Sequence, residues 1–193
     1  MSTKKIKVPQ PQTPEKQQSR DFFQTPAYAT ELLIPFIPAC KEIWEPACGN
    51  FAITKVLKKH GYKVLSSDII DGDGIVPYNF VQDFPRTDIR EDVIITNPPY
   101  SLKKKFFEKC MEYKIPFALL LPCDYSQWII DAIRFDNCEK IIPTRRINFI
   151  TPSGKTEETG GTANFHSMWF TWGFNLGKSE TFVELSLLDK KNL

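Results

Sequence analysis

Val93-Ile94-Ile95-Thr96-Asn97-Pro98-Pro99-Tyr100-Ser101 sets four apolar or β-branched residues directly before an Asn-Pro-Pro-Tyr turn. A short apolar run bounded by turn residues reads as a buried strand, and the segment after the turn reads as a helix. Two adjacent prolines fix φ and remove two backbone N–H donors. Each also pushes the residue before it away from helical geometry. What remains is a stiff turn of acceptors: the Asn97 side-chain oxygen and the backbone carbonyls of Asn97 and Pro98, with the Tyr100 ring beside them. Such a turn suits a planar group that carries an NH2. Read more plainly, it is a strand followed by a proline-rich loop.

Upstream, Glu42-Ile43-Trp44-Glu45-Pro46-Ala47-Cys48-Gly49-Asn50-Phe51 reads as strand, tight turn and helix start. The helix is expected from Ala52 to His60, ended by Gly61. Val64 to Asp68 reads as a second strand with an acid at its end. Asp68 follows the turn by about 20 residues, the spacing at which an acid grips ribose hydroxyls in nucleotide-binding βαβ units. The turn has one glycine, Gly49, and Phe51 stands where a second would be expected. A diphosphate cofactor needs close backbone approach, so NAD and FAD are disfavoured and a phosphate-free nucleoside cofactor is tolerated. Asn79 to Phe84 is expected to form a third strand ending at Asp83. Further upstream, Thr25 is placed to cap a helix whose first residue is Pro26.

Downstream, Pro116 to Pro122 reads as a buried strand and Tyr125 to Arg134 as a helix. Cys138 to Pro143, Ile147 to Ile150, Met168 to Trp172 and Phe182 to Leu187 are strand-like. Alternating strands and helices predict an α/β sheet, mostly parallel, that finishes with antiparallel strands. Thr151 to Asn164 shows no apolar periodicity; loops this long in compact domains are functional or disordered. Arg145 and Arg146 precede it, and Phe165 and His166 close it. Glu45, Asp68, Asp83 and Asn97 thus end four consecutive expected strands, where an open parallel sheet lines its ligand crevice.

The 193 residues suffice for one domain with a real core, expected over 21–193. Residues 1–20 carry Lys4, Lys5, Lys7, Lys16 and Arg20 against Glu15, with too few apolar residues to pack. They read as a flexible basic tail, either solvated or touching phosphate. The formal charge of +2 gives no global nucleic-acid signal, so any such surface must be local. Five scattered cysteines and two histidines offer no paired ligand spacing. No metal site or disulfide framework is expected, and reduced cytoplasmic thiols fit best. The sequence has no apolar signal region and no run long enough to span a bilayer.

On these residues the chain resembles the class I S-adenosylmethionine-dependent amino-group methyltransferases, most nearly the small phage-type adenine-specific DNA methyltransferases. Phe23-Gln24-Thr25-Pro26 is similar to their F-x-T-P element, Glu45-Pro46-Ala47-Cys48-Gly49 to their E-P-A-x-G turn, and Asn97-Pro98-Pro99-Tyr100 to their D/N-P-P-Y/F. Arg146-Ile147-Asn148-Phe149 and the strand after Phe165 look like their R-I-x-F and final hairpin. The likeness runs from about Phe22 to Trp172, and Phe51 departs from the usual second glycine. It implies a Rossmann-like class I methyltransferase sheet with an antiparallel C-terminal hairpin, and S-adenosylmethionine as cofactor. By the resemblance, Thr25 would help seat the cofactor, Glu45 and Gly49 would border its methionine part, Asp68 would take the ribose hydroxyls, and Asp83 would accept from the adenine amino group. Asn97 and Pro98 would take the substrate amine, on the rigid turn that Pro99 completes, and Tyr100 would stack on its ring. Phe165 is either a second stacking wall or a core aromatic of the last strands.

Adenine in DNA is the expected target, flipped out of a duplex because its amine cannot otherwise reach the pocket. Arg145 and Arg146 are candidate phosphate contacts; Lys103 to Lys105 are either that or a solvated helix face. The same chemistry on RNA or on a protein glutamine is a second reading, and an inactive nucleic-acid-binding protein on the same fold is a third. For a phage-encoded chain the compartment would be the host cytoplasm.

Overall fold

The structure, a computed structural model, describes residues 24–83, 85–88, 90–150 and 165–186. Eight strands build one sheet: β1 (Glu42–Glu45), β2 (Lys63–Asp68), β3 (Val76–Pro77), β4 (Val93–Thr96), β5 (Phe117–Pro122), β6 (Glu139–Pro143), β7 (Ser167–Trp172) and β8 (Glu180–Val183). Among the described residues four α-helices accompany them: α1 (Ala27–Glu31), α2 (Ala52–Lys59), α3 (Lys103–Tyr113) and α4 (Gln127–Phe135). The strand order is β3-β2-β1-β4-β5-β7-β6-β8. This is a Rossmann-like α/β sheet.

Every residue of β4 is buried, which is why its sequence is a continuous apolar run rather than an alternating one. The pleat sends its side chains to opposite faces. Val93 and Ile95 join one core with Tyr28, Leu33 and Trp169, while Ile94 joins the other with Trp44, Phe106 and Phe117. The second core holds a cluster of rings, with Trp44 edge-on to Phe80 and to Tyr113, both at 5.2 Å between centroids. Gly61, at φ +87°, stops α2 as expected.

β1, β2, β3, β4 and β5 run parallel. β7 is antiparallel to both β5 and β6, and β8 lies parallel to β6. β7 is therefore the one reversed strand among the described residues. The chain builds outward from β1 through β2 to β3, then crosses back to place β4 on the other side of β1. The strand ends of β1 and β4 thus flank the point where the order reverses, the place where open α/β sheets bind ligands.

Four local expectations are corrected. The third strand is Val76–Pro77, not Asn79 to Phe84. Asn79 Oδ1 accepts from the Val81 and Gln82 backbone N–H groups, and this side-chain cap curls the segment into a turn. Asp83 therefore ends no strand. Thr25 does not cap α1, whose N-cap is Pro26 with no side-chain hydrogen bond. From Ile147 to Ile150, only Ile150 pairs, in an isolated antiparallel bridge with Gln24. The last strand begins at Glu180 and joins β6 in parallel, so the antiparallel pair at the C-terminal end is β6 with β7. The basic tail over 1–20, Phe22 and Phe23, and the loop from Thr151 to Asn164 lie outside the described residues. Among the described residues no helix is long and apolar enough to cross a membrane.

Candidate active site

The turn after β1 is tied to the end of β2. Cys48 N donates to the Ser67 carbonyl at 3.1 Å, and Gly49 N donates to Asp68 Oδ2 at 2.9 Å. Asp68 Oδ1 also accepts from Ile70 N at 3.2 Å. The acid expected to grip ribose hydroxyls thus already holds the turn, at 8 % exposure. A carboxylate has roughly four lone-pair sites, so two backbone donors do not exhaust it. Gly49 takes φ +48°, and a Cβ built there would meet nothing within 4 Å, so the turn borders open space. Ile69 and Ile70 leave β2 exposed at this edge, an apolar surface that sequence reading had not singled out. Phe51, at φ +65°, holds a left-handed conformation that a bulky residue rarely adopts. It occupies a position that favours glycine, and its ring lies near Gly74.

Glu45 is 1 % exposed. The Thr54 hydroxyl from α2 donates to its carboxyl and shares a 2.7 Å hydrogen bond with the Ser66 hydroxyl of β2. Burial pushes Glu45 up to about 8; the Thr54 hydrogen bonds oppose this and the Asp68 charge adds to it. Glu45 is therefore a neutral acid at neutral pH, held beneath the turn. Burial, with the Glu45 and Asp68 charges, pushes the Cys48 thiol up to about 12, so it is no nucleophile. All five cysteines are free.

Across the reversal point, the turn after β4 presents Asn97 and Pro98, with Pro98 buried. The Thr96 hydroxyl reaches the Ala47 carbonyl at 3.5 Å, joining the two turns. Asn97 Nδ2 donates to Thr25 Oγ1 at 3.1 Å. Asn97 Oδ1 is buried and has no hydrogen-bond partner among the described residues. Nearly all buried polar side-chain atoms have a partner, and leaving one without costs about 1–3 kcal/mol. This oxygen is the acceptor that, by the resemblance, would take a substrate amine.

Tyr100 starts the short 3-10 turn that leads into α3. Its ring meets Phe165 edge to face at 5.5 Å and Phe149 at 6.3 Å, while Phe149 and Phe165 lie 6.1 Å apart. The structure thus brings Phe165 to Tyr100, at right angles rather than as a parallel wall. Phe149 belongs to the quoted R-I-x-F stretch but had been given no role; its apolar alternation with Ile147 was the available signal. Burial drives the Tyr100 phenol far above its ordinary value, partly offset by the Ser167 hydroxyl. Tyr100 is no base.

Three expected site residues are exposed. Asp83 is exposed and accepts from Asn79 N at 2.6 Å. Arg145 and Arg146 are exposed just past β6, at the same sheet edge as the two turns. Lys103 pairs with Asp124, and Lys104 with Glu108 at 3.6 Å, so both belong to ion pairs. Among the described residues no group of three His, Cys, Asp or Glu side chains is placed to hold a metal ion. No protein-family model matches the chain, and no curated protein matches it.

Proposed function

We propose that the chain transfers a methyl group from S-adenosylmethionine to the exocyclic amine of adenine in DNA. The observation that carries this is the buried, unpartnered Asn97 Oδ1, set beside the turn at Gly49 where the strand order reverses. An acceptor left unpaired in a stiff turn suits a ligand that brings the missing donor. The adenine amine is a poor nucleophile because its lone pair is delocalised into the ring. Asn97 Oδ1 and the Pro98 carbonyl would each accept one amino hydrogen and stabilise the positive charge that grows on nitrogen. The cofactor would supply an electrophilic methyl. In this reading Asp68 takes the ribose hydroxyls with its remaining lone pairs, Gly49 leaves room for the methionine part, and Ile69 and Ile70 offer an apolar surface to the base. Tyr100 stacks on the target, with Phe165 edge-on to the Tyr100 ring rather than as a second stacking wall, and the exposed Arg145 and Arg146 position the DNA backbone. Cytoplasmic residence agrees with the free cysteines.

A second reading, an inactive binding protein on this fold, is favoured by the inward-turned Glu45 and the backbone bonds already on Asp68. Labelled methyl transfer to pools of DNA, RNA and protein separates the two. Label in DNA adenine is the expected result. Label in RNA or protein alone moves the target, and no label together with no cofactor binding by calorimetry favours the second reading.

A further inference from the structure

Thr25 lies in the turn before α1, yet its hydroxyl is not spent on that helix. Instead Oγ1 accepts from Asn97 Nδ2 at 3.1 Å, 72 positions along the chain. The segment that carries Thr25 is anchored at several points. Gln24 and Ile150 exchange two backbone hydrogen bonds, Asn148 N donates to Tyr28 Oη at 2.6 Å, and Trp169 Nε1 donates to the Ala29 carbonyl at 2.8 Å. Thr25 itself is 7 % exposed. A buried hydroxyl on a fixed segment can hold another group in place.

What it holds is an amide, whose terminal torsion has two wells of similar energy. One orientation sets Nδ2 against Thr25 and leaves the oxygen over; the other sets the oxygen against Thr25 and leaves the NH2 over. With Nδ2 committed to Thr25, the oxygen is the atom left over, and it is the unpartnered one. Pro98 contributes a carbonyl and no N–H, so the turn offers acceptors only. We propose that Thr25 is a positioning residue whose hydroxyl holds the Asn97 amide in the observed arrangement, Nδ2 on Oγ1, and so leaves the amide oxygen as the acceptor for the target nitrogen. The role differs from cofactor seating, and its kinetic part rests on the methyltransferase reading above.

The test pairs an activity measurement with one that needs no activity. Thr25→Val keeps the shape and removes the hydroxyl; Thr25→Ser restores it. In protein labelled with 15N-asparagine, the Asn97 side-chain NH2 signal is assigned by its loss in Asn97→Asp. Its hydrogen exchange should speed up about tenfold in Thr25→Val, one lost hydrogen bond, and return toward the parental rate in Thr25→Ser. Equal exchange in the parent and Thr25→Val overturns the lock whatever the enzyme does. In single turnovers at saturating cofactor, Thr25→Val should slow methyl transfer about tenfold and leave cofactor affinity nearly unchanged. In an Asn97→Asp background, where the two carboxylate oxygens are equivalent, adding Thr25→Val should change the rate less than about twofold. Equal losses in both backgrounds, or weakened cofactor binding with a parental single-turnover rate, refute the positioning role. A parent that binds no cofactor and methylates nothing refutes the methyltransferase reading instead, while the exchange result still judges the lock.

Discussion

The turn after β1 and the turn after β4 end neighbouring strands yet treat their polar atoms in opposite ways. In the first, Gly49 N, both Asp68 oxygens and the Glu45 carboxyl all have partners within the protein, and Phe51 holds a strained φ. In the second, two prolines remove donors, and the one side-chain amide is half paired, with its oxygen buried and alone. The first turn is a finished scaffold whose shape is over-determined. The second holds hydrogen-bonding capacity that the protein does not use itself. Under the proposed function the first turn would border the cofactor and the second would accept the target amine; a strained φ such as that of Phe51 persists where the surrounding structure over-determines it.

The largest effect should fall on the unfinished turn. Asn97→Ala is expected to fold normally and to keep cofactor affinity within a few-fold. It should lose about a hundred- to a thousandfold in single-turnover methyl transfer, the usual loss for one preorganised electrostatic contact. Asn97→Asp should do better than Ala, because it keeps an acceptor in place. A near-parental rate in Asn97→Ala would reduce the turn to a stiff strand end and erase the contrast.

Next comes Glu45, as a pH dependence of stability. Its folded value of about 8 lies above the ordinary 4.5, so the folded protein keeps a proton that the unfolded chain has released. Its contribution is unimpaired below about pH 4.5 and is lost as pH rises toward 8. Glu45→Gln removes that proton exchange. The variant should gain on the order of a few kcal/mol over the parent near pH 8 and nothing near pH 4. Urea melts at both pH values measure it; a gap that is the same at both would show that Glu45 is not held neutral.

For Asp68, two substitutions separate holding the turn from holding a ligand. Asp68→Ala should weaken S-adenosylmethionine binding by about 1.5–3 kcal/mol and also destabilise the fold. Asp68→Asn can still accept from Gly49 N, so it should recover stability without recovering affinity. Calorimetry and melts that recover together would confine Asp68 to the scaffold.

The smallest effect tests the strain. Phe51→Ala keeps the left-handed backbone with a Cβ, whereas Phe51→Gly relieves it. The glycine variant should be more stable than the alanine variant by about 1 kcal/mol. Equal stabilities would show that the backbone relaxes once the ring is gone.

The sequence was informative where the cause was local. β4 was readable because a strand buried on both faces leaves an unbroken apolar run, and Gly61 marked the end of α2 by the φ it must adopt. The third strand was misplaced because Asn79 caps a turn there, and a side-chain cap outweighed an apolar pattern. Thr25 looked like a helix cap because its real partner is Asn97, which no local window contains. The reversal of β7 and the parallel return of β8 were hidden for another reason: periodicity identifies a strand but not its direction or its neighbours. The ring cluster of Tyr100, Phe149 and Phe165 depends on that reversal, since the start of β7 rather than its end meets the crevice edge.

The anchoring of the Thr25 segment also has a consequence for synthesis. Tyr28 bonds to Asn148 and Ala29 to Trp169, 120 and 140 positions along the chain. This piece leaves the ribosome 120 to 140 positions ahead of the residues that anchor it. At about 5–20 residues per second, the delay comes to roughly 6 to 28 seconds. A nascent chain that has completed β1, β2 and β4 has the Gly49 turn and can pack α1 on α2, but it still lacks the bonds from Asn148, Ile150 and Trp169 that anchor residues 24–29. Chains stalled before Asn148 would carry the first turn formed and the second without these anchors, until Asn148, Ile150 and Trp169 emerge.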